Sequence, residues 1–170
     1  GTPYRPLSFD SNTRREIMQT KTLEPIIAQH PFFQGLSPEY LELITGCAKN
    51  VRFDEGEFLF REGETAESFY LIREGRVSLG ISAPGKGLIP IQTVGADDVL
   101  GWSWLFEPYG WLYAARALQP VRALAFDGVC LRGKCEEDHD LGYDFMKRFA
   151  GIMTQRLQAT RFLLLDVYAA

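Results

Sequence analysis

The stretch that decides the fold class is DEGEFLFREGETAESFYLIREGRVSLGI, residues 54–81. Apolar side chains alternate through it with polar or small ones at a period of two, which is the pattern of half-buried β-strands. Turns that contain Gly56, Gly63 and Gly75 interrupt the alternation. Short strands at intervals of about ten residues, with a turn signal between them, are typical of a sandwich or a jelly-roll barrel.

The alternation continues on both sides of this stretch. It begins near Val51, resumes near Ile89 after a hairpin tip at residues 85–87, and ends with a strand over residues 121–126. The sequence therefore predicts a mainly β fold, a double-stranded β-helix or jelly-roll barrel.

Short helices are predicted before the barrel. Leu23 and Ile27 lie at helical spacing within residues 22–30. A second helix starts at Ser37 and Pro38, because serine is a favoured N-cap and proline suits the first helical position.

A long amphipathic helix is predicted after the barrel, from a cap at Asp138 or Asp140 to about residue 168. Its apolar residues lie close to a heptad seam: Met146, Phe149, Met153, Leu157, Thr160, Leu164 and Val167. The apolar arc is wider than one contact requires, which favours pairing with a second copy of the chain through residues 138–167. The alternative is a helix packed only on its own barrel. Its basic residues are interpreted as a solvated face: Lys147, Arg148, Arg156 and Arg161.

These patterns divide the chain into three parts. Residues 1–21 are polar and turn-rich and are predicted to be a flexible arm. Residues 22–137 form the barrel with its N-terminal helices, and residues 138–170 form the dimerisation helix.

The composition limits the function classes. A net charge of −4 and a pI near 5.3 argue against a nucleic-acid-binding surface over the whole domain. No apolar run reaches the roughly 18–20 residues of a membrane span, and the N-terminus lacks an apolar secretory core. Three cysteines are odd in number and follow no disulfide framework. A reducing, cytoplasmic setting is the simplest expectation.

The sequence gives little support for a metal site or for enzymatic catalysis. Cys130, Cys135 and His139 form a C-x4-C-x3-H series, but the cysteine spacing is unusual for zinc and a fourth ligand is not evident. The simpler interpretation is a small buried cysteine and a surface histidine. No serine or cysteine nucleophile lies beside a plausible histidine base, so we expect neither a metal site nor an enzyme.

The aromatic residues concentrate in VLGWSWLFEPYGWLYAARA, residues 99–117. All three tryptophans of the chain lie within it, at positions 102, 104 and 111. Gly101, Pro108 and Gly110 interrupt it, so it is neither one regular strand nor one helix. A segment both aromatic and broken by turn residues is interpreted as the wall of a pocket.

Residues from about His30 to Val167 resemble the cyclic-nucleotide-binding domain of the catabolite-activator and protein-kinase-A regulatory type. The resemblance rests on the glycine turns and strands of residues 54–81, on DDVLGWSWL at 97–105 and on RALQPVRALAFD at 116–127. It implies an eight-stranded jelly roll flanked by helices, usually dimeric in bacteria. It also implies a phosphate-binding cassette, which we place at residues 101–113.

The cassette departs from the family pattern at the residues that would bind the ribose and the phosphate. That pattern implies Gly-Glu, a short helix, and then Arg followed by two small residues. Gly101 matches, but Trp102 stands at the Glu position that holds the ribose hydroxyl. Trp111 stands at the Arg position that pairs with the cyclic phosphate, and Leu112 and Tyr113 replace the two small residues. An indole offers one N–H and no charge to a phosphate.

Several ligand hypotheses remain open. Arg116 is a weak substitute for the missing cation, because five residues along a strand place it on the opposite face from Trp111. Backbone N–H groups near Ser103 could hold an anion, and the rings of Trp102, Trp104, Trp111 and Tyr113 could stack on an aromatic or hydrophobic ligand. No cofactor is certain; the candidates are a weakly bound cyclic nucleotide or another small ligand. The tryptophans could instead fill the pocket.

The sequence thus predicts a cytoplasmic, non-enzymatic regulatory module with a ligand-binding site at Gly101, Trp102, Ser103, Trp104, Trp111, Leu112 and Tyr113. Ligand binding would shift the cassette and so move the long helix. The alternative is a ligand-free module that dimerises or docks a protein partner. The family's DNA-binding helix-turn-helix follows the long helix, and residues up to Ala170 leave no room for one, so DNA binding by this chain alone is not expected.

Overall fold

The computed structural model describes residues 22–169, so the predicted arm at residues 1–21 lies outside the described residues. The chain divides into two compact units that meet in the sequence between Gly46 and Cys47. The domain boundaries proposed from the sequence stay predictions.

The first unit contains helix α1 at residues 22–29, a 3-10 turn at Pro31–Phe33 and helix α2 at Pro38–Gly46. The Tyr40 N–H donates to Ser37 Oγ at 3.3 Å. The predicted cap of α2 is therefore confirmed.

The second unit is built on eight strands. They are β1 (Ala48–Phe53), β2 (Phe58–Phe60), β3 (Ser68–Glu74), β4 (Val77–Ala83), β5 (Gly87–Val94), β6 (Val99–Leu100), β7 (Ala114–Ala117) and β8 (Val121–Asp127). They form two four-stranded sheets in the orders β1-β8-β3-β6 and β2-β7-β4-β5. Every strand pair is antiparallel. Consecutive strands alternate between the two sheets except at the β4–β5 hairpin, which is a jelly-roll arrangement, so the predicted fold is confirmed.

Two helices follow the barrel, α3 (Gly128–Glu137) and α4 (His139–Ala169). The predicted cap of α4 is confirmed, because the Leu141 N–H donates to Asp138 Oδ1 at 3.3 Å. Helix α3 was not predicted from the sequence. Its N-cap is Asp127, whose Oδ1 accepts from the Cys130 N–H at 3.0 Å.

The first half of α4 is fixed to the outer face of the β3 sheet by aromatic packing. Phe69 and Phe126 on neighbouring strands stack with centroids 4.4 Å apart, and Phe149 meets Phe69 edge-on at 5.2 Å. We call the residues of this core the outer ring cluster: Phe69, Trp104, Phe126, Phe145 and Phe149. All of them have at most 1% of their surface exposed.

The second half of α4 has a different environment. Its large apolar side chains are exposed: Leu157, Phe162, Leu163, Leu164, Leu165, Val167 and Tyr168. The predicted heptad seam therefore spans two environments, since Phe149 is buried while Leu157 and Leu164 are exposed. None of the described helices is long and apolar enough to cross a membrane.

The prediction that the basic residues of α4 form a solvated face was wrong for two of them. Arg148 is mostly buried at its side chain and forms an ion pair with Asp144 at 3.2 Å. The Nη2 group of Arg156 donates to the Val99 carbonyl at 3.1 Å. Charge alone therefore did not place these side chains in water.

Candidate functional site

The candidate site is the cassette, residues 101–113, which connects β6 to β7. Its first half contains a 3-10 turn at Ser103–Leu105, where a short helix was predicted. Its second half is tied to the loop between β2 and β3. The Trp111 N–H donates to the Glu64 carbonyl at 2.9 Å, and the Gly63 N–H donates to the Trp111 carbonyl at 2.8 Å. These bonds fix the backbone that carries the Trp111 side chain.

The Trp111 indole is buried against glycine on one side and an aromatic ring on the other. Only 4% of the residue is exposed, and its ring stacks on Phe60 with centroids 3.7 Å apart and planes at 11°. A Cβ added at Gly101 would lie 2.8 Å from Trp111 Cη2. Because Gly101 also has a φ of +99°, both the backbone and the indole require glycine there.

Rings from both sheets surround Trp111. Phe60 comes from the β2 sheet, and Tyr70 from the β3 sheet has its ring centroid 6.3 Å from that of Phe60. The Tyr113 ring lies 5.6 Å from Phe60 and 5.6 Å from Trp102. We call these five residues the inner ring cluster. Tyr70 follows Phe69 of the outer ring cluster on β3, so the two clusters lie on opposite faces of one sheet.

The predicted site residues do not all come together. Gly101, Trp102, Trp111 and Tyr113 lie in or against the inner ring cluster. Trp104 is fully buried in the outer ring cluster instead, Ser103 is buried, and Leu112 is 68% exposed. The cassette therefore directs its aromatic side chains to two different sides of the β3 sheet.

A surface groove of about 390 Å³ lies beside the cassette. It is lined by Trp102, Ser103, Phe106, Glu107, Pro108, Gly110, Leu112 and Met153. Met153 belongs to α4, so this groove is formed by the cassette and the long helix together. Leu112, which points away from the inner ring cluster, forms part of its wall.

Arg156 of α4 approaches the inner ring cluster at Tyr113. Burial raises the pKa of the Tyr113 hydroxyl to about 12, while the nearby Arg156 guanidinium acts in the opposite direction. A side-chain hydrogen bond between Arg156 and the Tyr113 hydroxyl contributes to this lowering.

Arg116 does not reach the inner ring cluster. Its side chain is exposed on β7, and its Nε donates to the Gly56 carbonyl at 3.0 Å. It borders an open cleft of about 500 Å³ with Phe58 and Arg61. The expectation that Arg116 faces away from Trp111 is therefore confirmed.

Helix α3 also contacts the cassette. Arg132 donates through Nη1 to the Trp104 carbonyl, and its guanidinium carbon lies 3.7 Å from the centroid of the Tyr109 ring. One arginine thus holds both halves of the cassette against α3.

Comparison with known proteins identifies the family. The sequence profile of the family described as cyclic nucleotide-binding domain matches residues 50–138, just over half of the 170 residues. The chain belongs to this family.

Individual relatives agree with this assignment. The chain is 26% identical over 145 residues to the CRP-like cAMP-activated global transcriptional regulator of Mycobacterium tuberculosis, covering 85% of this chain and 63% of that regulator. The chain thus spans less than two thirds of the length of that relative. A structure from Geobacter metallireducens GS-15, named for cyclic nucleotide binding, is 28% identical with a TM-score of 0.69, covering 88% of this chain and 99% of that one.

A third relative shares the fold. It is a cAMP-bound mutant of the regulatory subunit of a cAMP-independent protein kinase A from Trypanosoma brucei. Its identity is 18% and its TM-score is 0.68, over 90% of this chain and 53% of that one.

The resemblance predicts an arginine at position 111 and a glutamate at position 102, where this chain carries Trp111 and Trp102. The Trp111 indole stacks on Phe60 inside the barrel.

Among the described residues, no group of three or more His, Cys, Asp or Glu side chains could hold a metal ion.

Sequence reasoning missed Arg156 and Met153 as neighbours of the cassette. A signal was present: Arg156 lies seven residues, or about two helical turns, after buried Phe149. Residues at that spacing share a helix face, so Arg156 continues the face of α4 that packs on the barrel.

We predict that Gly101→Ala costs about 1–3 kcal/mol more stability than Gly63→Ala, because it adds overpacking against Trp111 to the backbone strain. Gly63 is the matched control: its φ of +87° is similar, but an added Cβ would meet nothing within 4 Å. Urea unfolding of both variants measures the difference. Equal losses would show that Trp111 does not press against residue 101.

Proposed function

We propose that this chain is a non-enzymatic, ligand-sensing regulatory module in which recognition of ordinary cAMP and cGMP is weakened or lost. The observation that carries the proposal is the Trp111 indole, stacked at 3.7 Å on Phe60 at the position where the family pattern implies an arginine. The indole takes up space and supplies no charge to a cyclic phosphate.

The expected loss is large. Removing one partner of a desolvated charged pair costs about 2–5 kcal/mol, which corresponds to roughly 30-fold to several thousand-fold in affinity. Arg116 does not compensate, because it binds the Gly56 carbonyl on the outer side of β7.

Direct contacts between the cassette and α4 support a route by which ligand binding would affect the helix. Arg156 joins α4 to the Val99 carbonyl just before the cassette, and Trp104 of the cassette meets Phe149 of α4 at 5.5 Å. A ligand that shifts the cassette would therefore change the contacts of α4, and α4 would carry the signal.

A second candidate ligand is an aromatic or hydrophobic small molecule in the groove beside the cassette. Its volume of about 390 Å³ falls within the range of small-molecule sites, roughly 300–1,000 Å³. Trp102 and Leu112 offer apolar contact surface, and Met153 would connect such a ligand directly to α4.

We further propose that the chain is a homodimer through α4. The exposed apolar residues Leu157 and Leu164 lie one heptad apart on its second half, and burial against a second copy would remove them from water. The proposed function includes no DNA binding by this chain alone, in keeping with its net charge of −4. The proposed location is the cytoplasm, because an odd cysteine count favours a reducing compartment.

The ligand proposal predicts a specific titration result. Addition of cAMP or cGMP up to about 1 mM should give no saturable change in tryptophan fluorescence and no binding heat. All three tryptophans report on the cassette. Saturable binding of either nucleotide at micromolar concentration would contradict the proposal.

The groove is tested in the same assay with the anionic probe 1-anilinonaphthalene-8-sulfonate, whose aromatic rings bind apolar surface. We expect Leu112→Asp to weaken probe binding several-fold, because a charge would be introduced into the wall of the groove. The matched control is Leu118→Asp, an exposed leucine that does not line the groove. Equal effects of the two variants would refute a groove ligand and leave a ligand-free interaction module.

The dimer is tested by light scattering after size-exclusion chromatography. We expect a mass near twice 19.2 kDa for the unmodified chain and a monomer for Leu164→Glu, since burying an unpaired carboxylate in the interface is costly. Gln158→Glu adds the same charge at an exposed polar position and should remain dimeric. A monomeric unmodified chain would contradict the proposed homodimer.

A further inference from the structure

Two cysteines far apart in the sequence meet at one end of the barrel. Cys47 and Cys130 are 83 positions apart, and the Cys47 thiol donates to Cys130 Sγ across 3.6 Å. Cys47 immediately precedes β1, and Cys130 lies in the first turn of α3. All eight strands lie between them in the sequence.

Hydrogen bonds of Asp127 hold the backbones of Cys47 and Cys130 close together. The Asp127 N–H donates to the Cys47 carbonyl at 2.9 Å, extending the β1–β8 ladder by one residue. The carboxylate of the same Asp127 accepts from the Cys130 N–H at 3.0 Å as the N-cap of α3. One residue therefore fixes the backbone next to both sulfur atoms.

The two thiols differ in their surroundings. Cys130 is exposed and Cys47 is half-buried. Burial, followed by the hydrogen bond to Cys130, raises the pKa of the Cys47 thiol to about 12. Cys130 is thus the sulfur that an oxidant in solution reaches first, and Cys47 is a neighbour that keeps its proton until it reacts.

We propose that Cys47 and Cys130 form a reversible redox site, which a peroxide converts into an intramolecular disulfide. The Cys130 sulfur attacks one oxygen of hydrogen peroxide, the O–O bond breaks, and the products are a Cys130 sulfenic acid and water. The Cys47 sulfur then attacks the Cys130 sulfur. Hydroxide leaves, takes the Cys47 proton and becomes a second water. Overall the two thiols lose two hydrogen atoms, and the peroxide is reduced to two waters.

The separation of the two sulfur atoms is short enough to suit this bond. A disulfide has its sulfur atoms about 2.05 Å apart, so sulfurs now at 3.6 Å must approach by only about 1.6 Å. The bond would close the whole strand order, β1 to β8, into one covalent loop. A loop of that length restricts the unfolded chain strongly, so the oxidised form should be more resistant to unfolding.

The first test is thiol mapping of the full chain after hydrogen peroxide treatment, alkylation with iodoacetamide and digestion. We expect loss of two of the three free thiols, a cross-linked peptide pair containing Cys47 and Cys130, and full recovery with dithiothreitol. Cys135, which is buried, should remain alkylatable after unfolding. Cross-links through Cys135, bonds only between chains, or irreversible oxidation of Cys130 would overturn the proposal.

Thermal unfolding provides the second test. Peroxide should raise the unfolding midpoint by several degrees in the unmodified chain and in Cys135→Ser, but not in Cys130→Ser. Cys130→Ser changes an exposed side chain and should fold normally. An unchanged midpoint after complete loss of the two thiols, or an equal shift in Cys130→Ser, would contradict the proposed loop. Neither test depends on the ligand or on the proposed regulatory function.

Discussion

The stacking contact between the Trp111 indole and the Phe60 ring joins the cassette to the inside of the barrel. Its centroid distance of 3.7 Å leaves no room for a ligand between the two rings. The contact depends on Gly101, since any side chain there would meet the far edge of the indole. It also depends on the hydrogen bonds between Trp111 and the loop at residues 63–64. Trp111 and Gly101 therefore act as one structural unit.

The same segment connects the barrel to both C-terminal helices. Because β3 alternates its side chains between two faces, Phe69 supports the outer ring cluster and Tyr70 the inner one. Trp104 reaches α4 through the outer cluster, and Arg132 ties the cassette to α3. Arg156 completes the arrangement by bonding to the strand that enters the cassette. The cassette thus makes extensive contacts to both helices.

Much of the fold was predictable because its signals are local. Period-two alternation identified strands such as β4, glycine pairs identified the hairpin at residues 85–87, and Asp138 marked the start of α4. Helix α3 was missed because GVCLRGKCEE has little apolar periodicity. Its formation depends on the cap at Asp127 and on packing against residues distant in the sequence.

The side-chain directions in the site were less predictable. Trp104 and Trp111 belong to one irregular segment, and only tertiary packing sends the first to the outer cluster and the second to the inner one. Arg156 was assigned to solvent because of its charge, although its spacing from Phe149 places it on the packed face. The meeting of Cys47 and Cys130 depends on strand pairing across 83 positions, which spacing alone does not reveal.

The most direct test of the central claim is the nuclear Overhauser contact between the Trp111 indole and the Phe60 ring, measured with and without cAMP at about 1 mM. Strong contacts between these ring protons are expected in both samples, because the rings stack at 3.7 Å and leave no room for a ligand between them. Absence of the contacts in the free protein, or their loss on addition of cAMP, would show that the pocket is open to a cyclic nucleotide and would contradict the claim.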